Sequence, residues 1–290
     1  MSDKCAPGKN FNEGSCFTVE NLTEIAKAYN TAHPNKRFKI KKNKKYLLKN
    51  LTKKIKEDYN CNDEMCWLDT NLIKDMENME ISHFTLRPNG PKKKYEWLST
   101  TDINNVMIQY EQQYSDFKFL GAVPYDFEEL TSLEVYNIDF QKLLDRGISR
   151  IGMVINLDEH YKSGSHWVGL FANLLKKKIY YFDSFAKKPE KRIRTFIKKI
   201  ISFIYNKDTQ NKLDVEIDDI YEFEKYIKDP ENWDIRYNKI RHQFSNSECG
   251  VYSMNFIIRL LHGETFDYIV QNVTKDEAMN ACRNVYFRNV

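Results

Sequence analysis

A chain of 290 residues, 41% of them hydrophobic and 14% aromatic, can bury a substantial core in one large domain or in a catalytic domain with a smaller companion. A formal charge of +4 is too small for a protein that coats nucleic acid along its whole length, so the placement of charge matters more than its sum. No run approaches the roughly 18 apolar residues that span a bilayer, and the polar start MSDKCAPGKN lacks the apolar stretch of a secretion signal, so a soluble intracellular protein is expected, with Cys5, Cys16, Cys61, Cys66, Cys249 and Cys282 as free thiols in a reducing compartment.

In chain order, TVENLTEIAKAYN puts Leu22, Ile25, Ala26 and Tyr29 on one face of a helix capped by Thr18. After TAHPNKRFKIKKNK, the segment KYLLKNLTKKIKEDY repeats that spacing with Leu47, Leu48, Leu51 and Ile55. From Lys36 to Lys56 there are eleven lysines or arginines and no acidic residue, a concentrated basic face. Pro88, Asn89, Gly90 and Pro91 break regular structure, so a small basic helical domain is expected over residues 1–90 and a second domain over 91–290. In the second, ISRIGMVINL, HWVGLFANL and KIYYFDSF read as strands, the last two joined across LKKK as an antiparallel hairpin. PEKRIRTFIKKIISFIYNK reads as an amphipathic helix with Pro189 at its first position and Ile193, Phe196, Ile197, Ile200 and Ile204 on its apolar face. A strand in WDIRYNKIRHQ follows, then a helix from Val251 to Leu261 stopping at His262 and Gly263, then a last helix opened by the capping-box pattern TKDE at Thr274 to Glu277. Strands and helices come in blocks, which favours an α+β fold; no internal repeat is found.

A cysteine nucleophile needs a base, a group that orients the base, and donors for the oxyanion that forms on the attacked carbonyl. His166 opens the strand HWVGLF and Asp183 ends its hairpin partner IYYFD, so strand pairing sets an acid beside an imidazole. Cys249 stands just before the helix VYSMNFIIRLL, where the helix N-terminus and an imidazolium partner both favour the thiolate. Gly250 lets a substrate backbone approach closely, and Gln243, six residues before the cysteine, offers a side-chain amide for the oxyanion.

HWVGLFANLLKKKIYYFDSF followed by QFSNSECG resembles the signature of the ubiquitin-like-protein (SUMO) protease superfamily of cysteine peptidases, to which the adenovirus protease also belongs. The order His166, Asp183, Gln243, Cys249 is that of the family, and EWLSTTDINNVMIQY, with Trp97, Leu98, Asp102, Ile103 and Asn104, is similar to its segment near the cleft. The resemblance covers roughly residues 95 to 290 and implies a papain-like or adenain-like fold, a central mixed sheet flanked by helices. It also implies a Cys-His-Asp triad, with Trp167 and Trp97 at a narrow passage for small residues. IRHQFSNSECGVYSM, the tail ETFDYIVQNVTKDEAMNACRNVYFRNV and an N-terminal domain bearing CNDEMCW look most like the virion-maturation proteases of large nucleocytoplasmic DNA viruses, of the African swine fever virus type. Those enzymes cut polyproteins after small residues, as in Gly-Gly-X, so the implied partners are viral structural precursors and the implied setting is the virion and the host cytoplasm. Glu248 stands where SUMO proteases commonly have Asp, a mark of branch rather than of activity.

Each feature has a plainer reading. Cys249 alone could be an inert core thiol, and His160 and His242 are rivals for the base. Cys61 and Cys66 could form half a zinc site, but no second half matches, so buried packing thiols are expected and no metal or organic cofactor is required. The Lys36 to Lys56 run could be a solvated face or could capture DNA. Three functions therefore stand: a virion-maturation endopeptidase, a SUMO-type deconjugating protease with the same site, and a DNA-binding scaffold on a relict protease fold. No membrane partner is expected.

Overall fold

The computed structural model describes residues 4–209 and 232–289. The chain divides into two compact units, Met1–Gly90 with Asn284–Val290, and Pro91–Arg283. The break at Gly90 follows the Pro-Asn-Gly-Pro run, but residues 284–290, assigned by sequence to the second domain, belong to the first unit, where Phe287 fills the space that a side chain at Gly90 would need.

In the first unit, α1 (Val19–Ala32) starts with a reciprocal capping box between Thr18 and Asn21. Helix α2 (Lys44–Tyr59) is capped by Asn43. Leu22, Ile25, Ala26 and Tyr29 meet Leu47, Leu51 and Ile55 in a core completed by Phe17 and Trp67, as the 3.6-residue spacing requires. The expected free thiols are not found here. Cys5 is bonded to Cys16 and Cys61 to Cys66, with Cα–Cα separations of 5.5 and 5.6 Å. The short loops carry each pair into bridging range. With both sulfurs of Cys61 and Cys66 bonded to each other, neither is free to bind zinc. The basic run is not a uniform solvated face either. Lys44 is buried and donates to the Ser15 carbonyl at 3.1 Å, Lys36 pairs with Asp58, and Lys54 lies over the rings of Tyr29 and Phe38.

The second unit is built on a five-stranded mixed sheet in which spatial order equals chain order: β1 (Phe117–Val123), β2 (Arg150–Asn156), β3 (Trp167–Asn173), β4 (Lys178–Phe182) and β5 (Asp234–Tyr237). The central β2-β3-β4 pairings are antiparallel, and β1 and β5 join the edges in parallel. Every residue of β3 is buried because helices cover both faces. On one face Ile151, Met153, Ile155, Val168, Leu170 and Ala172 share a core with the apolar stripe of α4 (Lys191–Thr209), including Ile193, Phe196, Ile197, Ile200 and Ile204. On the other, Gly152 and Gly169 admit α5 (Cys249–Leu261): a Cβ on Gly169 would lie 3.2 Å from the Ser253 carbonyl. Helix α3 (Thr100–Gln113), capped by Ser99 and Asp102, packs beside β1.

Three local expectations change. Strand β1 escapes the sequence pattern because a bulge with Gly121 at φ +109° shifts its register between Phe119 and Ala122 and breaks the alternation. Pro189 stands two residues before α4 rather than at its first position. The TKDE box is not formed: the last predicted helix spans Asp276–Ala281 behind Lys275, with no side-chain cap. Asp276 instead accepts from Phe244 N, Ser245 N and the Tyr252 hydroxyl. Among the described residues no helix is long and apolar enough to cross a membrane.

Candidate active site

The β3-β4 register, with Gly169 opposite Phe182, brings the entry of β3 beside the exit of β4. His166 Nε2 lies 2.7 Å from Asp183 Oδ1 across that junction. Asp183 is fully buried and tightly held. Its Oδ1 also accepts from Phe185 N at 2.8 Å, while Asn238 accepts from Asp183 N at 2.9 Å and donates to Asp183 O at 2.7 Å. With Nε2 turned to the carboxylate, Nδ1 is left for another partner, and Cys249 is near enough to bear on the charge of the ring. Burial works against charge on His166, but the hydrogen bonds and charges of Asp183 and Cys249 prevail and push the imidazole up to about 9.

Cys249 is the first residue of α5 rather than the residue before it, and its free thiol is buried. The oriented N–H groups of the first helical turn face the same end as the sulfur. Gln243 is buried on the preceding loop. Its Oε1 accepts from Ser184 Oγ at 2.6 Å and its Nε2 donates to Ser245 O at 2.6 Å, which leaves one of the two amide N–H bonds for another acceptor. Ser184 O also accepts from Gln243 N at 3.0 Å, so the residue after Asp183 ties the β4 exit to the loop that carries Gln243.

Gly250 serves a different purpose from the one its sequence position suggests. A Cβ there would sit 3.2 Å from Leu98 Cβ and 3.3 Å from Trp167 Cδ1, so the missing side chain makes room for those two residues and not for open groove. Trp167 Nε1 donates to Leu98 O at 3.1 Å, and Trp97, 48% exposed, stands next to it. Trp97, Leu98 and Trp167 line a groove of about 490 Å³ together with Asp158, Glu159 and His160, whereas His166, Asp183, Gln243 and Cys249 do not line it. The rival histidines are engaged elsewhere. His160 Nδ1 is 2.5 Å from Asp126 Oδ2, and His242, its basicity lowered by burial, has Nε2 3.0 Å from Val270 O.

The description of the Ulp1 protease family, C-terminal catalytic domain, matches residues 148–289, a span that holds His166, Asp183, Gln243 and Cys249. A protein of Acanthamoeba polyphaga mimivirus described as a thiol protease is 40% identical over 304 residues, covering 98% of this chain and 93% of that one. The chain belongs to the Ulp1 protease family. It is a cysteine protease. Cysteine proteases of African swine fever virus are 22% identical over 253 residues, covering 80% of this chain and 85% of theirs. The crystal structure of the African swine fever virus protease superposes with a TM-score of 0.66 at 19% identity, over 100% of this chain and 97% of that one, so this member of the Ulp1 family shares that fold.

Sequence reasoning missed several residues that hold the site. Glu248, read only as a mark of branch, is 1% exposed and forms a buried pair with Arg283, Nε to Oε2 at 2.9 Å. Arg283 also donates to Glu96 O at 2.7 Å, and Asn280 links Glu248 Oε1 to Lys94 O. This network joins the residue before Cys249 to the segment leading into Trp97. A charged residue directly before Cys249 was the available signal, but its partner 35 positions away could not be seen in the sequence. Asn238 and Ser184 carry no signal of their own, since single Asn and Ser residues after strands are ordinary turn residues.

Proposed function

We propose that Cys249 is the nucleophile, that His166 takes its proton and later returns it to the leaving amine, that Asp183 orients His166, and that Gln243 with backbone N–H groups at the start of α5 holds the oxyanion. The observation that carries this reading is His166 Nε2 held 2.7 Å from a buried carboxylate, on a ring whose proton Asp183 and Cys249 favour against burial and keep up to about 9. Once its proton has passed to His166, the Cys249 sulfur attacks the carbonyl, the amine leaves with that proton, and the resulting thioester is released by water activated by the same imidazole.

The substrate is a viral structural precursor cut after small residues of the Gly-Gly-X type, during virion maturation in the virion or the infected cytoplasm. The burial of Cys249 and the Leu98 and Trp167 side chains packed over Gly250 favour a slim main chain over bulky side chains next to the cleaved bond. Cys249→Ala and His166→Ala are each expected to abolish cleavage of a Gly-Gly-X peptide while the melting transition stays in place; turnover retained by either variant puts the nucleophile or the base elsewhere. A thiol-directed probe at neutral pH should label Cys249 ahead of Cys282, whose thiol burial pushes up. A protein with no reactive thiol would revive the relict-scaffold reading.

Removal of a SUMO-type modifier is the second reading. It uses the same site and draws support from African swine fever virus relatives described as SUMO-1 cysteine proteases. A panel of modifier conjugates set against precursor peptides separates the two. DNA capture by Lys36–Lys56 is a further proposal, resting on those lysines of the run that remain exposed, such as Lys39 and Lys42. Binding of the full chain to duplex DNA should fall steeply with salt.

A further inference from the structure

The reaction route proposed above, on which this inference rests, requires His166 to protonate the leaving amine, so the first residues beyond the cleaved bond pass close to that imidazole. The surroundings of the ring on this side are aromatic and cationic. Phe185 stacks on His166 with centroids 4.6 Å apart and planes 18° from parallel. The Arg241 guanidinium lies over Phe185 at 5.0 Å and over Phe244 at 4.9 Å. None of the three lines the groove that the tryptophans line, and neither does His166, so these residues are placed by their contact with the imidazole.

Arg241 is exposed, and Phe244 is 69% exposed. The arginine is nevertheless fixed. Its Nε donates to Gln243 O at 2.6 Å and its guanidinium is held over two rings at 5.0 and 4.9 Å, with no partner for its Nη groups among the described residues. The loop beneath is anchored as well, because Phe244 N and Ser245 N both donate to Asp276 at 2.9 Å. A pre-oriented guanidinium with unused donors matches a carboxylate, which accepts two parallel N–H bonds. We infer that Arg241 is a specificity residue on the leaving side of the site, taking an acidic side chain one or two residues beyond the cleaved bond.

The test uses the full-length protein and peptides that share one Gly-Gly acyl half and differ in the leaving half, beginning with Glu, Gln or Lys at the first or second position. The wild type is expected to prefer Glu over Lys by about tenfold in kcat/KM, in line with a charge-assisted pair at a partly exposed site. Arg241→Gln should flatten that preference and Arg241→Glu should reverse it, a ratio that does not depend on how much of each variant folds. Wild-type indifference to the leaving-side charge, or a Glu preference kept by Arg241→Glu, overturns the inference. A Gly-Gly substrate with a coumarin leaving group reads the acyl side alone. Failure of the wild type to turn it over sinks the proposed function and this inference together, whereas turnover without any leaving-side preference sinks only the inference.

Discussion

The first unit closes Cys5, Cys16, Cys61 and Cys66 into two disulfides around a helix pair, whereas the second keeps Cys249 and Cys282 free in a sheet covered by helices on both faces. The buried charges divide in a similar way. In the second unit His166 faces Asp183 and Glu248 faces Arg283, and both pairs adjoin the candidate nucleophile. The first unit holds Glu64, a carboxylate with no ion pair of that kind among the described residues; one oxygen of Glu64 is buried without a hydrogen-bond partner, as are Asp183 Oδ2 and Arg283 Nη1 in the second unit. A small unit with few layers gains from covalent loops. A layered unit with a large apolar core can tolerate desolvated ion pairs where chemistry needs them, because the cost of each is small beside that core.

The comparison breaks first, and with the largest effect, at Asp183. Asp183→Asn is expected to lower kcat/KM by roughly 10²- to 10⁴-fold. In the parent, activity should fall as pH rises through about 9, where His166 loses the proton that the proposed route passes to the leaving amine. Because Asp183 raises that value, the variant's alkaline limb should move to lower pH; a limb that stays in place in a pH-rate profile removes the carboxylate from the mechanism.

Next in size is the Glu248–Arg283 pair. Glu248→Ala leaves a buried guanidinium without its counter-charge and is expected to cost about 3–5 kcal/mol in urea unfolding of the second unit, with activity lost alongside. Each disulfide of the first unit should contribute about 2–3 kcal/mol, given its short loop. Alkylation of the denatured, unreduced chain followed by mass measurement should label two cysteines, and labelling of all six would erase the contrast between the units.

The smallest effect belongs to Glu64. Burial pushes its carboxyl up to about 7 against the pull of Ser15 and Lys44. The folded form therefore holds a proton that the unfolded form releases near 4.5, and stability conferred by that proton declines as pH rises from 4.5 through 7. Glu64→Gln should thus stabilise the protein more at pH 8 than at pH 5, and an equal shift in melting temperature at both would contradict the assignment.

Much of the fold could be read from local pattern. The helix faces of α1, α2 and α4, the Thr18 cap and the β3-β4 hairpin follow from spacings of 3.6 or 2 residues and from turn chemistry within a few positions. Features that failed to show in the sequence involve a break in period or a distant partner. Gly121 interrupts β1, Asp276 is drawn away from its helix cap by Phe244, Ser245 and Tyr252, and Cys16 meets Cys5 because a loop folds back.

The sequence by itself determined which side chains are available for the chemistry and their order along the chain, since His166 and Asp183 sit at the ends of two adjacent strands and Cys249 at the head of an apolar helix. Only the tertiary structure decided how they are held. Asn238 clasps Asp183, Ser184 orients Gln243, Arg283 anchors Glu248, and Leu98 with Trp167 fills the space over Gly250. The physical reason is that hydrogen bonds and packing contacts between segments tens of residues apart leave no periodic trace in either segment, whereas the apolar rhythm of a helix or strand is written within a single stretch.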